Sequence, residues 1–179
     1  MSKSVTSSTL NDKWNIHFMQ HAQLVSTLSK DESTKVGCVI VSPKKVILST
    51  GYNGFPRGVN DNVPERKTRP TKYDYVVHAE ANAILNAGRN GTDKLEGAIL
   101  YVTMPPCTHC AGEIINAGIK EVIYLEPEEK KKIPGWRDSL NISFTMFDEA
   151  GVIYRSMSRK KLLTKRMLDY IIRTKECEN

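Results

Sequence analysis

Two short stretches constrain the fold more than anything else in the chain: His78-Ala79-Glu80 and Pro105-Pro106-Cys107-Thr108-His109-Cys110. One histidine and a Cys-x-x-C pair offer three metal ligands, and the donor set suits zinc. Three protein ligands and one open position make a catalytic zinc, whereas a structural zinc takes four. The sequence has no second Cys-x-x-C and no downstream histidine pair to complete a four-ligand site. A redox pair would leave His78 and Glu80 without roles. Glu80 follows the histidine by two positions, where a carboxylate can move protons rather than ligate. The fold must therefore bring two separate segments to one point.

Local chemistry predicts a helix at each segment. Val77 to Ala87 is rich in Ala and Leu and ends at Gly88 or Gly91; Cys107 to Ala117 is stopped by Gly118. The paired prolines suit a helix start, and a helix N-terminus favours thiolate over thiol. Strands are expected at 35–41, 46–50, 98–103, 122–125 and 152–154, with a turn at 42–45 between the first two. Further helices are expected from Asn11 or Asp12 to about Leu28, from Phe144 to Ala150, and after Ser158, where Leu162, Leu163, Met167 and Ile171 recur. That order gives an α/β chain with a mixed sheet of about five strands and helices on its faces.

The domain limits are read as a flexible tail over 1–11, one domain over 12–155, and a basic helical extension over 156–179. No apolar run approaches the ~20 residues of a membrane helix. The polar N-terminus has no signal-like apolar core, so the cytoplasm is the expected compartment. Cys38 sits in an apolar run and reads as a core thiol, while Cys177 lies in the polar tail. His17 and His21 are four apart on the first helix, without a third ligand nearby, and read as ordinary surface histidines. The net charge of +6 is concentrated late, in Lys130-Lys131-Lys132 and from Arg155 to Lys175. It fits a solvated helix face, or attraction to phosphate-bearing ligands.

The spacing H-x-E…P-C-x-x-C is that of zinc-dependent nucleobase deaminases. With Ser29-Lys30-Asp31-Glu32-Ser33-Thr34-Lys35-Val36-Gly37, Gly51-Tyr52-Asn53-Gly54-Phe55-Pro56-Arg57-Gly58, Thr71 to Ile84 and Met104 to Ile123, the sequence resembles the deoxycytidylate deaminases of the cytidine deaminase superfamily. The resemblance runs from about Asp12 to Arg155. Pro134-Gly135-Trp136-Arg137-Asp138 is similar to the T-even-phage branch, which would place a viral protein in the host cytoplasm.

The resemblance implies a three-layer α/β/α fold and zinc-dependent conversion of dCMP to dUMP and ammonia, supplying dUMP for thymidylate synthesis. It implies His78, Cys107 and Cys110 as zinc ligands and Glu80 as the catalytic acid and base. It further implies substrate contacts from Ser33, Lys35, Asn53, Ala79 and Tyr124, with Ser33 and Lys35 near the phosphate. A homohexamer is implied, activated by dCTP with Mg2+ and inhibited by dTTP. Gly54 and Arg57 are the candidate effector contacts, and Arg89 is an interface candidate. Residues 60–75 hold no Cys or His, so one zinc is expected. Rival substrates are tRNA adenosine, single-stranded DNA, and dCTP beside dCMP. Aromatic content of 7% and loops without an aromatic cluster argue against a nucleic-acid groove. A zinc-stabilised binding module would have no use for Glu80.

Overall fold

The computed structural model describes residues 12–92, 95–127 and 136–162. The expected tail, the Lys130-Lys131-Lys132 run, Pro134-Gly135 and the helix beyond Leu162 lie outside the described residues. In chain order the elements are α1 (Asp12–Ser26), β1 (Gly37–Val41), β2 (Ile47–Tyr52), α2 (Lys72–Tyr75), α3 (Ala79–Arg89), β3 (Ile99–Val102), α4 (Thr108–Asn116), β4 (Glu121–Leu125), α5 (Trp136–Ala150) and β5 (Ile153–Met157).

The strands form one sheet in the order β2-β1-β3-β4-β5. β1 pairs antiparallel with both neighbours, while β3, β4 and β5 are mutually parallel. All five residues of β1 are buried, as a strand covered on both faces requires. Strand alternation divides the core in two. Cys38, Ile40, Leu100, Val102 and Val122 face the side packed by Ala83, Ala111, Ile114 and Phe147 of α3, α4 and α5. Val39, Val41, Tyr101, Ile123 and Leu125 face Phe18, Met19 and Ala22 of α1. The result is the three-layer α/β/α arrangement with a five-stranded mixed sheet.

Two elements depart from the sequence expectation. α5 begins at Trp136, well before Phe144. Its early turns bury Ser143, whose hydroxyl donates back to the Ser139 carbonyl at 2.8 Å, so a polar residue occupies a core-facing position and hides the apolar stripe. β5 continues to Met157, and there Arg155 pairs with Glu121 of β4 at 2.7 Å. The polar excursion over 60–75 contains a 3-10 turn at Pro64–Lys67 and the single turn of α2.

Two glycines let helices press onto opposite faces of the sheet. A Cβ on Gly37 would stand 2.0 Å from the Ala22 carbonyl oxygen of α1. One on Gly51 would stand 2.3 Å from both the Ala79 oxygen and the Ala83 nitrogen of α3. Gly51 and Cys38, the neighbour of Gly37, are register partners, so both close approaches fall at the same end of the sheet. Gly51→Ala is expected to force the first turn of α3 off β2 and to destabilise the protein by about 1–3 kcal/mol, read as a lower urea midpoint.

Candidate active site

The sheet end where β2 and β3 finish and β1 begins carries the site. The Thr103 N–H donates to the Gly37 carbonyl at 3.0 Å, and the Thr103 hydroxyl accepts from the Gly37 N–H at 3.1 Å. These bonds fix the exit of β3 that leads to Cys107. Gly54 and Val77 exchange backbone hydrogen bonds of 3.1 and 2.9 Å, which tie the approach to His78 onto the loop after β2. Ligands of open α/β sheets commonly bind at the carboxyl ends of strands.

His78 is the N-cap of α3 and Cys107 the N-cap of α4; both have extended backbones, and neither side chain caps its own helix. They turn toward each other instead. His78 Nδ1 lies 3.4 Å from the sulfurs of both Cys107 and Cys110. The three ligand atoms lie within 4.8 Å of one another. Ideal zinc bond lengths at a tetrahedral angle place a ligating nitrogen about 3.5 Å from a ligating sulfur, so the donor set and its spacing fit zinc. His109, between the cysteines, is exposed and outside this triad.

Electrostatics of the metal-free triad follow from its hydrogen bonds. Donation from Cys110, then from His78, holds the Cys107 thiol down at about 3, and Cys110, as donor to that thiolate, is pushed up. The hydrogen bond to Cys107 lifts His78 to about 9 against the effect of burial. Glu80 is 4% exposed in the first turn of α3. Burial raises its carboxyl to about 7, with the His78 charge drawing it back. Cys38, fully buried in the core as expected, has its thiol pushed well up by burial.

These groups open into a cavity of about 180 Å³ whose lining includes His78, Ala79, Glu80 and Cys107. Asn53 lines it too, and its amide is held from three sides. Its Oδ1 accepts the Val36 N–H at 2.8 Å, and its Nδ2 donates to the Thr34 carbonyl at 2.9 Å and to Asp31 Oδ2 at 3.3 Å. Asp31 in turn accepts from the amides of Ser33 and Thr34 and pairs with Lys72 at 2.6 Å. Burial would raise the Asp31 carboxyl, but the bonds from Lys72, Thr34 and Ser33 outweigh it and hold it below its usual range.

The remaining predicted residues lie elsewhere. The Ser33 hydroxyl accepts from Lys72 Nζ at 2.7 Å and lines a second cavity of about 510 Å³ beside the first. Gly54 and Arg57 also line that second cavity. Lys35 is exposed and lines neither. Tyr124 stacks on Phe144 at 5.8 Å and does not line the catalytic cavity. Arg89 borders a separate depression with Arg57 and Asn86. Sequence reasoning gave no role to Asp31, Arg69, Lys72 and Tyr73, all on the cavity wall. Their only signal was their place in or beside motif segments.

Residues 12–126 match the family described as the cytidine and deoxycytidylate deaminase zinc-binding region. The chain is similar to the human deoxycytidylate deaminase, 39% identical over 163 residues, covering 88% of this chain and 86% of the human one. It is also similar to the deoxycytidylate deaminase of Enterobacteria phage T4, 37% identical over 161 residues, covering 68% of this chain and 82% of the phage protein. Among solved structures, the dCMP deaminase of cyanophage S-TIM5 in complex with dCMP and dUMP superposes with a TM-score of 0.63 at 28% identity, covering 84% of this chain and 100% of that one.

Zinc binding requires neutral histidine and ionised thiols. The metal-free triad holds a proton on His78, whose pKa is about 9, and another on Cys110, whose pKa is raised. Zinc uptake at pH 7 should therefore release about two protons, and apparent affinity should rise with pH, less steeply once His78 has lost its proton and Cys110 alone still holds one. Calorimetric titration in buffers of different ionisation enthalpy measures both.

Proposed function

The chain belongs to the cytidine and deoxycytidylate deaminase family of enzymes, and on that premise we propose that it hydrolyses dCMP to dUMP and ammonia, supplying dUMP for thymidylate synthesis. One arrangement carries the proposal: a single cavity joins two members of a three-ligand metal triad, His78 and Cys107, with a buried carboxylate outside the triad and an amide with one open acceptor site.

His78, Cys107 and Cys110 would hold zinc, which when bound would lower the pKa of a water to near neutrality. Glu80 takes a proton from the attacking water, delivers it to N3 of the pyrimidine as C4 is attacked, and then carries the proton of the new C4 hydroxyl to the amine, which leaves as ammonia. A carboxyl raised toward neutrality by burial suits both halves of that task. The two hydrogens of the Asn53 side chain are already committed, and one lone pair of its Oδ1 is taken by Val36. Asn53 therefore offers substrate an acceptor only, which suits a sugar hydroxyl. Ala79 opens α3, where a backbone amide has no intrahelical partner and can meet a carbonyl of the base.

The regulatory part of the proposal concerns the second cavity. Lys30, Arg57, Lys67 and Lys72 outnumber Asp31, Glu32 and Asp61 on its lining, with Lys30 paired to Asp61 at 2.7 Å, and Tyr52 and Phe55 give it rings, which suits a nucleoside triphosphate with its Mg2+. We assign dCTP as activator and dTTP as inhibitor there, in a homohexamer.

Ammonia release from dCMP, dCTP, cytidine and an oligonucleotide, each with and without dCTP and dTTP, tests the substrate and its regulation. dCMP should be the preferred substrate; turnover of the oligonucleotide and not of dCMP would refute the assignment. Glu80→Gln should keep zinc and bind dUMP while losing about 10²–10⁴ in kcat.

A further inference from the structure

The first amides of a helix have no carbonyl partner within it, and the N-cap side chain commonly accepts from one of them. α4 cannot use that device. Its N-cap is Cys107, whose side chain makes no capping bond and whose sulfur lies beside His78. The residues before it, Met104, Pro105 and Pro106, carry no side-chain oxygen. The Thr103 hydroxyl already accepts from Gly37. The Thr108 amide is met from another helix instead: it donates to Ser139 Oγ of α5 at 3.2 Å.

That bond falls at a sensitive place. The Thr108 nitrogen is joined to the Cys107 carbonyl carbon, so Ser139 holds the peptide plane next to the ligand's Cα. Ser139 is itself held. Its carbonyl accepts from the hydroxyl of Ser143, which is fully buried one turn along α5. Farther on the two helices touch again, since a Cβ on Gly112 of α4 would stand 3.7 Å from Met146 Cε of α5. The other ligand-bearing helix is anchored differently. The approach to His78 is tied to the loop after β2 by the bonds between Gly54 and Val77. Each half of the triad therefore has its own support, and for the cysteine half that support is α5.

We infer that Ser139 is a positioning residue for the metal: its hydroxyl caps α4 from α5 and fixes the direction in which Cys107 presents its sulfur. Ser139 lies outside the triad and does not line the catalytic cavity, so it acts through Cys107 alone. The inference rests on the three-ligand zinc reading above.

The test compares wild type, Ser139→Ala, Ser139→Thr and Ser143→Ala. Alanine is a better helix former than serine, so Ser139→Ala leaves α5 itself intact. Three quantities are measured: zinc affinity by competition with a chromophoric chelator, the visible spectrum of the Co2+-substituted protein, and kcat and KM for dCMP. Partners of metal ligands are worth about 10–100-fold in metal affinity or activity, and a bond to the ligand's peptide belongs at the lower end. Ser139→Ala should weaken zinc by about tenfold, shift the thiolate-to-cobalt bands and lower kcat with little change in KM. Ser139→Thr keeps the acceptor oxygen and should restore all three. Ser143→Ala disturbs α5 without touching α4; it should lower the urea midpoint and leave zinc affinity and the cobalt spectrum unchanged. Wild-type zinc affinity and cobalt spectrum in Ser139→Ala, or the same losses in Ser143→Ala, would overturn the inference. If wild type binds zinc but does not turn over dCMP, the reaction assignment fails while the zinc and cobalt results still decide the role of Ser139. If wild type takes up no zinc, both fail.

Discussion

The constraint on which the structure depends is the meeting of two helix N-termini at one end of the sheet. His78 Nδ1 must stand 3.4 Å from two sulfurs carried by another helix. Neither helix caps itself with its N-cap side chain, so His78 and Cys107 are left for a ligand. Much of the architecture serves that meeting. Gly51 lets α3 lie against β2, and Gly37 lets α1 press the opposite face at the same sheet end. β1, pairing antiparallel with β2 and β3, brings its first residues between their last ones. Asn53 therefore leaves β2 beside the exit of β3 and reaches the cavity that holds the triad.

Buried charge is the second organising feature. Glu80 is held in a site that disfavours its ionised form, which costs stability and suits proton transfer. Asp31 is the opposite case. Its carboxylate is ringed by donors from its own loop and by Lys72, so its charge is favoured. A buried ion pair of this kind is weak evidence of net stabilisation, because desolvation offsets much of the attraction. Its value here is positional. It ties the 29–34 loop, Asn53 and the segment before His78 into one rigid wall between the two cavities.

The metal triad was legible in the sequence because its signal is local: a spacing within each helix and the chemistry of each residue type. The strands were legible for the same reason, since β1 and β3 read as short apolar runs between turns. The Asp31–Lys72 pair was not, because the partners lie far apart in sequence and meet only once the 60–75 excursion folds back over the loop. Nothing in the period or composition of that excursion announces Arg69 or Lys72 as cavity residues. α5 was under-read because Ser143 takes a core position with its hydroxyl satisfied by Ser139. Tyr124, carried over by resemblance, sits in an aromatic stack with Phe144, which itself stacks on Tyr154.

The proposed reaction requires a three-ligand zinc with an exchangeable fourth position and Glu80 outside its coordination. Zinc K-edge X-ray absorption on the loaded protein, wild type and Glu80→Gln, measures this directly. The predicted shell is two sulfurs at about 2.3 Å, one nitrogen at about 2.0–2.1 Å and one light atom from solvent, identical in the two proteins. A fourth protein ligand, or a shell that changes when Glu80 is replaced, would contradict it.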